Sequence, residues 1–298
     1  PLFSPASLHR RPQITVVRNM RLLAEYALRG RPKAIIVTAI LVSLPLFSWV
    51  GGAVAALVVL AQGPREGLFV AMWASLPLLV GYAIAQDISS LLAFAAVVAS
   101  ASLLRAAGSW ELVLYGAMIL AVIQALLFGW LSSPILEWFV SSYLGILESM
   151  REAGASAPDE AGARGTALAF FALGQGVLTI VTLMLARWWQ SEIYHPGGFG
   201  DEIQRVKLAR PVAIGLGLTT VGLAGMPEFS AWAAVVSLPL VVGGVCLTHA
   251  LLKQRGVSRH WYVAFYASIV LFAQMAMAIL ALVMIADSFI DLRRQTNV

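Results

Sequence analysis

Long apolar runs separated by short polar gaps make up most of the chain from residue 34 to residue 287. Asp, Glu, Lys and Arg are almost absent from the runs, and several runs reach the length of about 20 residues that a membrane-spanning helix needs. This pattern predicts an all-α fold, a polytopic transmembrane helical bundle of about eight or nine membrane segments. The runs lie at residues 34–62, 67–86, 88–104, 112–131, 166–186, 211–226, 231–252 and 261–286.

The first run, residues 34–62, is long for one crossing and contains Pro45 and the pair Gly51-Gly52. One tilted helix and a hairpin of two short helices both fit this length. Charge favours the hairpin, because it puts the later basic gaps on the same side of the membrane as the basic N-terminal segment. We therefore expect a broken or re-entrant hairpin that is buried in protein where its backbone is irregular.

Composition and charge support a membrane protein. The chain is 60% hydrophobic and 12% charged, with a mean hydropathy of +0.84, whereas soluble domains are about 25% charged. The net charge of +5 comes from basic residues beside the apolar runs. This is the positive-inside pattern and not a nucleic-acid surface, so we expect a multi-pass protein with a cytoplasmic N-terminus, surrounded by membrane lipids.

The chain divides into a short polar segment and one membrane domain. Residues 1–19 contain no apolar core of the signal-peptide type, and we expect a disordered or non-native extension, with Met20 as the native start. Residues 20–298 form a single transmembrane helical domain. We expect its last run, residues 261–286, to cross the membrane once, and the balanced charges after it do not fix the side of the C-terminus.

Four polar side chains within the apolar runs are candidates for a ligand site. Gln124, Gln175 and Gln274 lie toward the middle of their runs, whereas His249 lies about one turn before Lys253 and near the interface. Such side chains can hydrogen-bond between packed helices or line a polar pocket for a small ligand, and both interpretations remain open.

The loop at residues 192–210 is the most distinctive polar segment. After the turn Pro196-Gly197-Gly198, acidic residues come first and basic residues last, as the helix dipole favours. This order predicts a short amphipathic helix that either lies on the bilayer surface or docks a membrane-protein partner. The docking residues would be Phe199, Glu202, Ile203, Arg205 and Lys207.

The sequence contains no motif for catalysis, nucleotide hydrolysis or metal binding. It lacks a Gly-x-Ser-x-Gly elbow, a His-Glu-x-x-His pair and a Walker A loop. The single cysteine, Cys246, lies in an apolar run. We therefore expect no enzyme, with no catalytic residue, no metal site and no cofactor.

Several short motifs resemble those of the YybS-like bacterial membrane proteins, a family of unknown function. They are residues 20–33, the turn Gly63-Pro64-Arg65-Glu66-Gly67, the loop Pro196-Gly197-Gly198-Phe199 with Glu202 and Leu208, and residues 287–294. The resemblance covers roughly residues 20–295, implies the bacterial inner membrane and carries over no catalytic residue. The family is also distantly similar in architecture to the substrate-binding subunits of energy-coupling factor transporters, although a shared fold does not establish a substrate.

Two functions fit these observations. The first is a transport-type protein that binds a small or amphipathic ligand between helices, which the broken first run and the central glutamines favour. The alternative is a non-catalytic membrane subunit or scaffold that associates with other membrane proteins, which the lack of mid-membrane charge favours. We expect the first, and a polar cavity near Gln175 and Gln274 would support it over the second.

Overall fold

The computed structural model describes residues 15–151 and 159–293, and all regular elements in these two stretches are helices. The predicted all-α membrane bundle is confirmed. The α-helices are α1 Thr15–Ala27, α2 Arg31–Val42, α3 Ser48–Gln62, α4 Pro64–Ala74, α5 Leu76–Ala85, α6 Ser89–Ala107, α7 Trp110–Leu131, α8 Ser133–Arg151, α9 Glu160–Tyr194, α10 Gly198–Ile203, α11 Arg210–Ala224, α12 Trp232–Gln254, α13 Arg259–Leu271 and α14 Ala273–Ile290.

Seven helical stretches of the described chain are long and apolar enough to cross a membrane, judged by length and composition. They are Pro45–Gln62, Pro64–Ala85, Ser89–Ala107, Trp110–Leu131, Glu160–Tyr194, Trp232–Gln254 and Ala273–Ile290. The shorter helix α11 is also apolar. Of the predicted N-terminal extension, residues 1–14 lie outside the described residues, and from Thr15 onward the chain is helical.

The first apolar run is a broken hairpin, as the sequence predicts. A 3-10 turn at Pro45–Phe47 separates α2 from α3, and α3 returns alongside α2. Near the turn, a Cβ atom on Gly51 would lie 2.9 Å from the backbone nitrogen of Val42. At the other end, Nε2 of Gln62 donates a hydrogen bond to the carbonyl of Leu28 over 3.0 Å. Because residues 50–60 of α3 are all buried, this arm of the hairpin lies at the centre of the bundle.

The two ends of the bundle differ in charge. One end, which we call the basic end, contains the turns at residues 28–31, 62–64, 107–110, 194–210 and 254–259. The other, which we call the acidic end, contains the turns at residues 43–48, 85–89, 131–133 and 224–232 and the start of α9. From Arg18 to Arg293, each Lys and Arg except Arg151 and Arg164 belongs to the basic end. The acidic end carries Asp87, Glu137, Glu148, Asp159, Glu160 and Glu228.

The last apolar run does not cross the membrane once, and that prediction is wrong. The run breaks at Phe272, between α13 and α14, where no glycine or proline marks the position. α13 begins at the basic end, and α14 returns to it: Nε of Arg210 donates to the carbonyl of Ser288 over 3.0 Å, and Lys207 pairs with Asp291 at 3.1 Å. The polar contacts after α14 thus hold the described C-terminal residues at the basic end.

Candidate functional site

Helices α7, α9 and α12 meet near mid-depth, where Gly176 contacts Ala121 and Leu238. We call this contact, together with the nearby Gln124 and Gln175, the three-helix junction. A Cβ atom on Gly176 would lie 2.6 Å from Cδ2 of Leu238 and 3.2 Å from Cβ of Ala121. Glycine at this position therefore lets the three helices approach closely. The surrounding buried side chains are small, Ala121, Ala125, Ala172 and Val235.

Gln124 and Gln175 both lie at the three-helix junction. Gln124 is 3% exposed and Gln175 is 9% exposed. Ala121 faces Gly176 and the two helices are antiparallel, so Gln124 and Gln175 lie on the same side of that contact and differ by about 3 Å along the bundle, roughly half a turn of helix. Both amide atoms of Gln124 and the Oε1 atom of Gln175 have no hydrogen-bond partner among the described residues. These buried polar groups therefore retain an unused capacity to bind.

The polar surface continues along α9 toward the basic end. Thr179 and Thr182 follow Gln175 at helical spacing, and both are buried with hydroxyls that lack a partner within the described chain. The methyl group of Thr182 lies 3.5 Å from the position of a Cβ atom on Gly52, in α3. Neither threonine was predicted from the sequence, although their spacing of four and seven residues from Gln175 puts them on the same helical face.

A proline lies inside α12, beside the three-helix junction. Pro239 lies inside this helix, directly after Leu238, and is buried. Because proline has no N–H, the carbonyl of Val235 lacks the helical hydrogen-bond donor four residues later. Pro239 was not predicted as part of a site, although a proline in the middle of the apolar run at residues 231–252 could have indicated one.

The other two predicted ligand residues lie elsewhere. Gln274 is exposed in the first turn of α14. His249 is half-buried at the contact of α12 and α13, with Nδ1 3.2 Å from the hydroxyl of Tyr266 and its ring 5.1 Å from the ring of Tyr262. Of the four residues, Gln124 and Gln175 are thus buried on helices that meet at the three-helix junction, whereas Gln274 is exposed on α14.

The predicted docking loop packs against its own bundle. The carboxylate of Glu202 accepts hydrogen bonds from Nε1 of Trp110 at 2.6 Å and from Nε of Arg187 at 2.9 Å. The ring of Phe199 lies edge-on to Trp110 at 6.3 Å, and Ile203 packs against the main core. In this structure the apolar side of α10 therefore contacts α7 and α9.

The two basic docking residues lie on the outer side of this loop. Arg205 is exposed, whereas Lys207 forms the ion pair with Asp291. Both line a cavity of about 670 Å³ together with Trp110 and Glu111. Its walls carry three carboxylates, Glu111, Asp201 and Glu202, and the two basic side chains, a small excess of negative charge.

A second polar cluster lies at the basic end, where the last turns of α3, α6 and α9 meet. The carbonyl of Leu60, in the last turn of α3, accepts hydrogen bonds from Arg105 and from Nε2 of Gln190, the latter at 2.9 Å. Gln190 also accepts a hydrogen bond from Arg187. A cavity of about 620 Å³ opens beside these side chains. The cluster begins one to two turns beyond Thr182 and links the polar face of α9 to the basic end.

These elements define a polytopic helical membrane protein, and at a junction of three helices it buries polar side chains that have no partner among the described residues. Comparison with protein-family models, with curated proteins and with solved structures finds no match. The three-helix junction and its immediate surroundings are therefore the basis for a functional assignment.

Proposed function

We propose that the chain is a transport-type membrane protein that binds a small or amphipathic ligand at the three-helix junction. The observation that carries this proposal is the side chain of Gln124, which is 3% exposed and has no partner for either amide atom among the described residues. Leaving a buried polar group unpaired costs about 1–3 kcal/mol. A ligand that supplies hydrogen bonds removes this cost.

The residues of the junction indicate the chemistry of such a ligand. Side-chain amides and hydroxyls each donate and accept hydrogen bonds without carrying charge, so they complement an uncharged polar group. Ala121, Val235 and Leu238 supply apolar walls next to the amides. The complement of this surface is an uncharged molecule with a hydrogen-bonding group and an apolar part.

Access to the junction requires α12 to move relative to α7 and α9, because the contacts around Gly176 leave no open path. Two features favour such movement. Pro239 removes one backbone hydrogen bond from α12, and Gly176 has no side chain to interlock with Leu238.

The proposed location is the bacterial inner membrane, with the basic end and the N-terminus in the cytoplasm. The support for this orientation is the concentration of Lys and Arg at the basic end, since positive residues favour the cytoplasmic side. Membership of the YybS-like family stays a prediction.

Two observations favour the alternative function, a non-catalytic membrane subunit. The first is the close packing around Gly176 at the three-helix junction, since a polar cavity there would have supported transport. The second concerns α13. None of the 13 residues of α13 is buried, although the helix is apolar through most of its length. A partner membrane protein could cover this helix, and so could lipid.

Native mass spectrometry in mild detergent tests the proposal. The wild type is compared with the double variant Gln124→Leu/Gln175→Leu, and Gln274→Leu is the matched control at an exposed position. We expect a bound small molecule in the wild type and the control that is absent from the double variant. Identical spectra for all three proteins would contradict the proposal, and a stoichiometric protein partner retained by all three would support the subunit function instead.

A further inference from the structure

An apolar groove adjoins the three-helix junction on the side of the acidic end. It lies between the last turns of α7, helix α8 and the first turns of α9, and its volume is about 300 Å³. Of the eight residues that line it, five are aromatic and none is charged. Phe139 and Phe170 in its walls are 52% and 65% exposed. The groove therefore opens on the outside of the bundle, where a membrane protein meets lipid.

Two stacked rings lie between this groove and the buried amides of the junction. The rings of Phe128 and Phe171 are 4.1 Å apart and nearly parallel, and both line the groove. Phe128 follows Gln124 by four residues, and Phe171 precedes Gln175 by four residues, so each ring lies about one helical turn from an amide. Because α7 and α9 run in opposite directions, both rings are on the acidic side of the amides.

Phe171 contacts the surroundings of the groove and those of the junction. It packs against the cluster that contains Phe128 and Leu136, and also against the small buried side chains Ala125 and Ala172. On the inner side of the ring these alanines leave no large side chain between the ring and the amides. On its outer side the ring adjoins the empty volume of the groove, so outward movement of the ring meets open space.

We propose that the ligand of the three-helix junction is an uncharged molecule dissolved in the membrane, and that it enters from this groove past Phe171. The inference rests on the proposed function, to which it adds the entrance and the class of ligand. An entrance without charged side chains imposes a desolvation cost on an ion, whereas its aromatic walls suit an apolar or aromatic part. Movement of α12 makes room at the amides, and Phe171 closes the path from the groove.

The rate of labelling by N-ethylmaleimide, a small uncharged thiol reagent, tests the entrance in membrane vesicles that contain the full chain. In the Cys246→Ala background, Gln175→Cys provides the only thiol. Phe171→Ala then removes the ring, and Ala167→Phe fills the groove. The matched control is Leu183→Ala, a fully buried position of α9 about two turns from residue 175 on the side away from the groove.

We expect Phe171→Ala to accelerate labelling, Ala167→Phe to slow it and Leu183→Ala to leave it unchanged. The stacking of one aromatic pair corresponds to a factor of about 2–10 in an equilibrium constant, so the acceleration should be at least of this size. If Phe171→Ala does not fold, Phe171→Leu removes the ring with a smaller loss of volume, and the slower labelling of Ala167→Phe tests the same entrance.

The other outcomes separate the entrance from the proposed function. Labelling at the same rate with and without the changes at Phe171 and Ala167 would overturn the entrance, but the junction would still open by another route. Equal acceleration by Phe171→Ala and Leu183→Ala would also overturn it, because general loosening of α9 would then explain the effect. Absence of labelling in all of these proteins would contradict the proposed function and the entrance with it.

Discussion

Replacing Gln124 with leucine should make the ligand-free protein more stable. Both amide atoms of this side chain are buried without a partner among the described residues, and its neighbours on α7 and α9 are Ala121, Ala125 and Ala172. Leucine has a similar volume and no polar atom, so Gln124→Leu removes a desolvation cost of about 1–3 kcal/mol. Polar interactions between helices in membranes are weak, since a hydrogen bond there averages about 0.6 kcal/mol. We therefore expect the gain in stability to lie at the lower end of this range, near 1 kcal/mol.

Thermal unfolding in mild detergent, followed by tryptophan fluorescence, measures this effect. For a chain of 298 residues, a gain of 1 kcal/mol should raise the midpoint by roughly 1–2 °C. Gln274→Leu provides the matched control, because Gln274 is exposed in α14 and should show little change. A lower midpoint for Gln124→Leu would refute the reasoning, because it would mean that the amide has partners which stabilise the folded protein.

Two further substitutions test how the helices are held together. Gly244→Ala places a Cβ atom 2.8 Å from the carbonyl carbon of Leu280, so it should separate α12 from α14 and destabilise the protein by about 1–3 kcal/mol; Gly215→Ala, which meets open space, should not. Glu202→Gln removes the charge that binds Arg187 and should accelerate proteolysis within residues 192–210. The exposed pair of Asp201 with Lys253 contributes at most about 1 kcal/mol, so Asp201→Asn should leave that rate nearly unchanged.

The helical bundle could be predicted because its main determinants are local. Apolar runs of membrane length define the helices, and Pro45 and Gly51 mark the break of the first hairpin. The break at Phe272 could not be predicted, because the surrounding residues include neither glycine nor proline. It depends on long-range contacts: α14 packs on α12 where Gly244 meets Leu280, and its polar end bonds to residues from the loop before α11.

The candidate site could be predicted in part. Gln124 and Gln175 were identified by their depth within apolar runs, but depth does not show which face of a helix is buried. Gln274 is exposed because the buried face of α14 carries Leu280 and Met284. Similarly, the amphipathic pattern of α10 predicts a helix without indicating what its apolar side contacts, which in the structure includes Trp110, far away in sequence.

Thiol accessibility of the three-helix junction tests the central claim most directly. Replacing Cys246, the only cysteine, with alanine gives a background for Gln175→Cys and for the control Val58→Cys, a fully buried position in α3. A transport-type protein must expose the junction to water in some state, so a hydrophilic thiol reagent should label Gln175→Cys in membrane vesicles while leaving Val58→Cys unlabelled. Equal protection of both cysteines over the whole time course would contradict the claim and indicate a permanently closed scaffold.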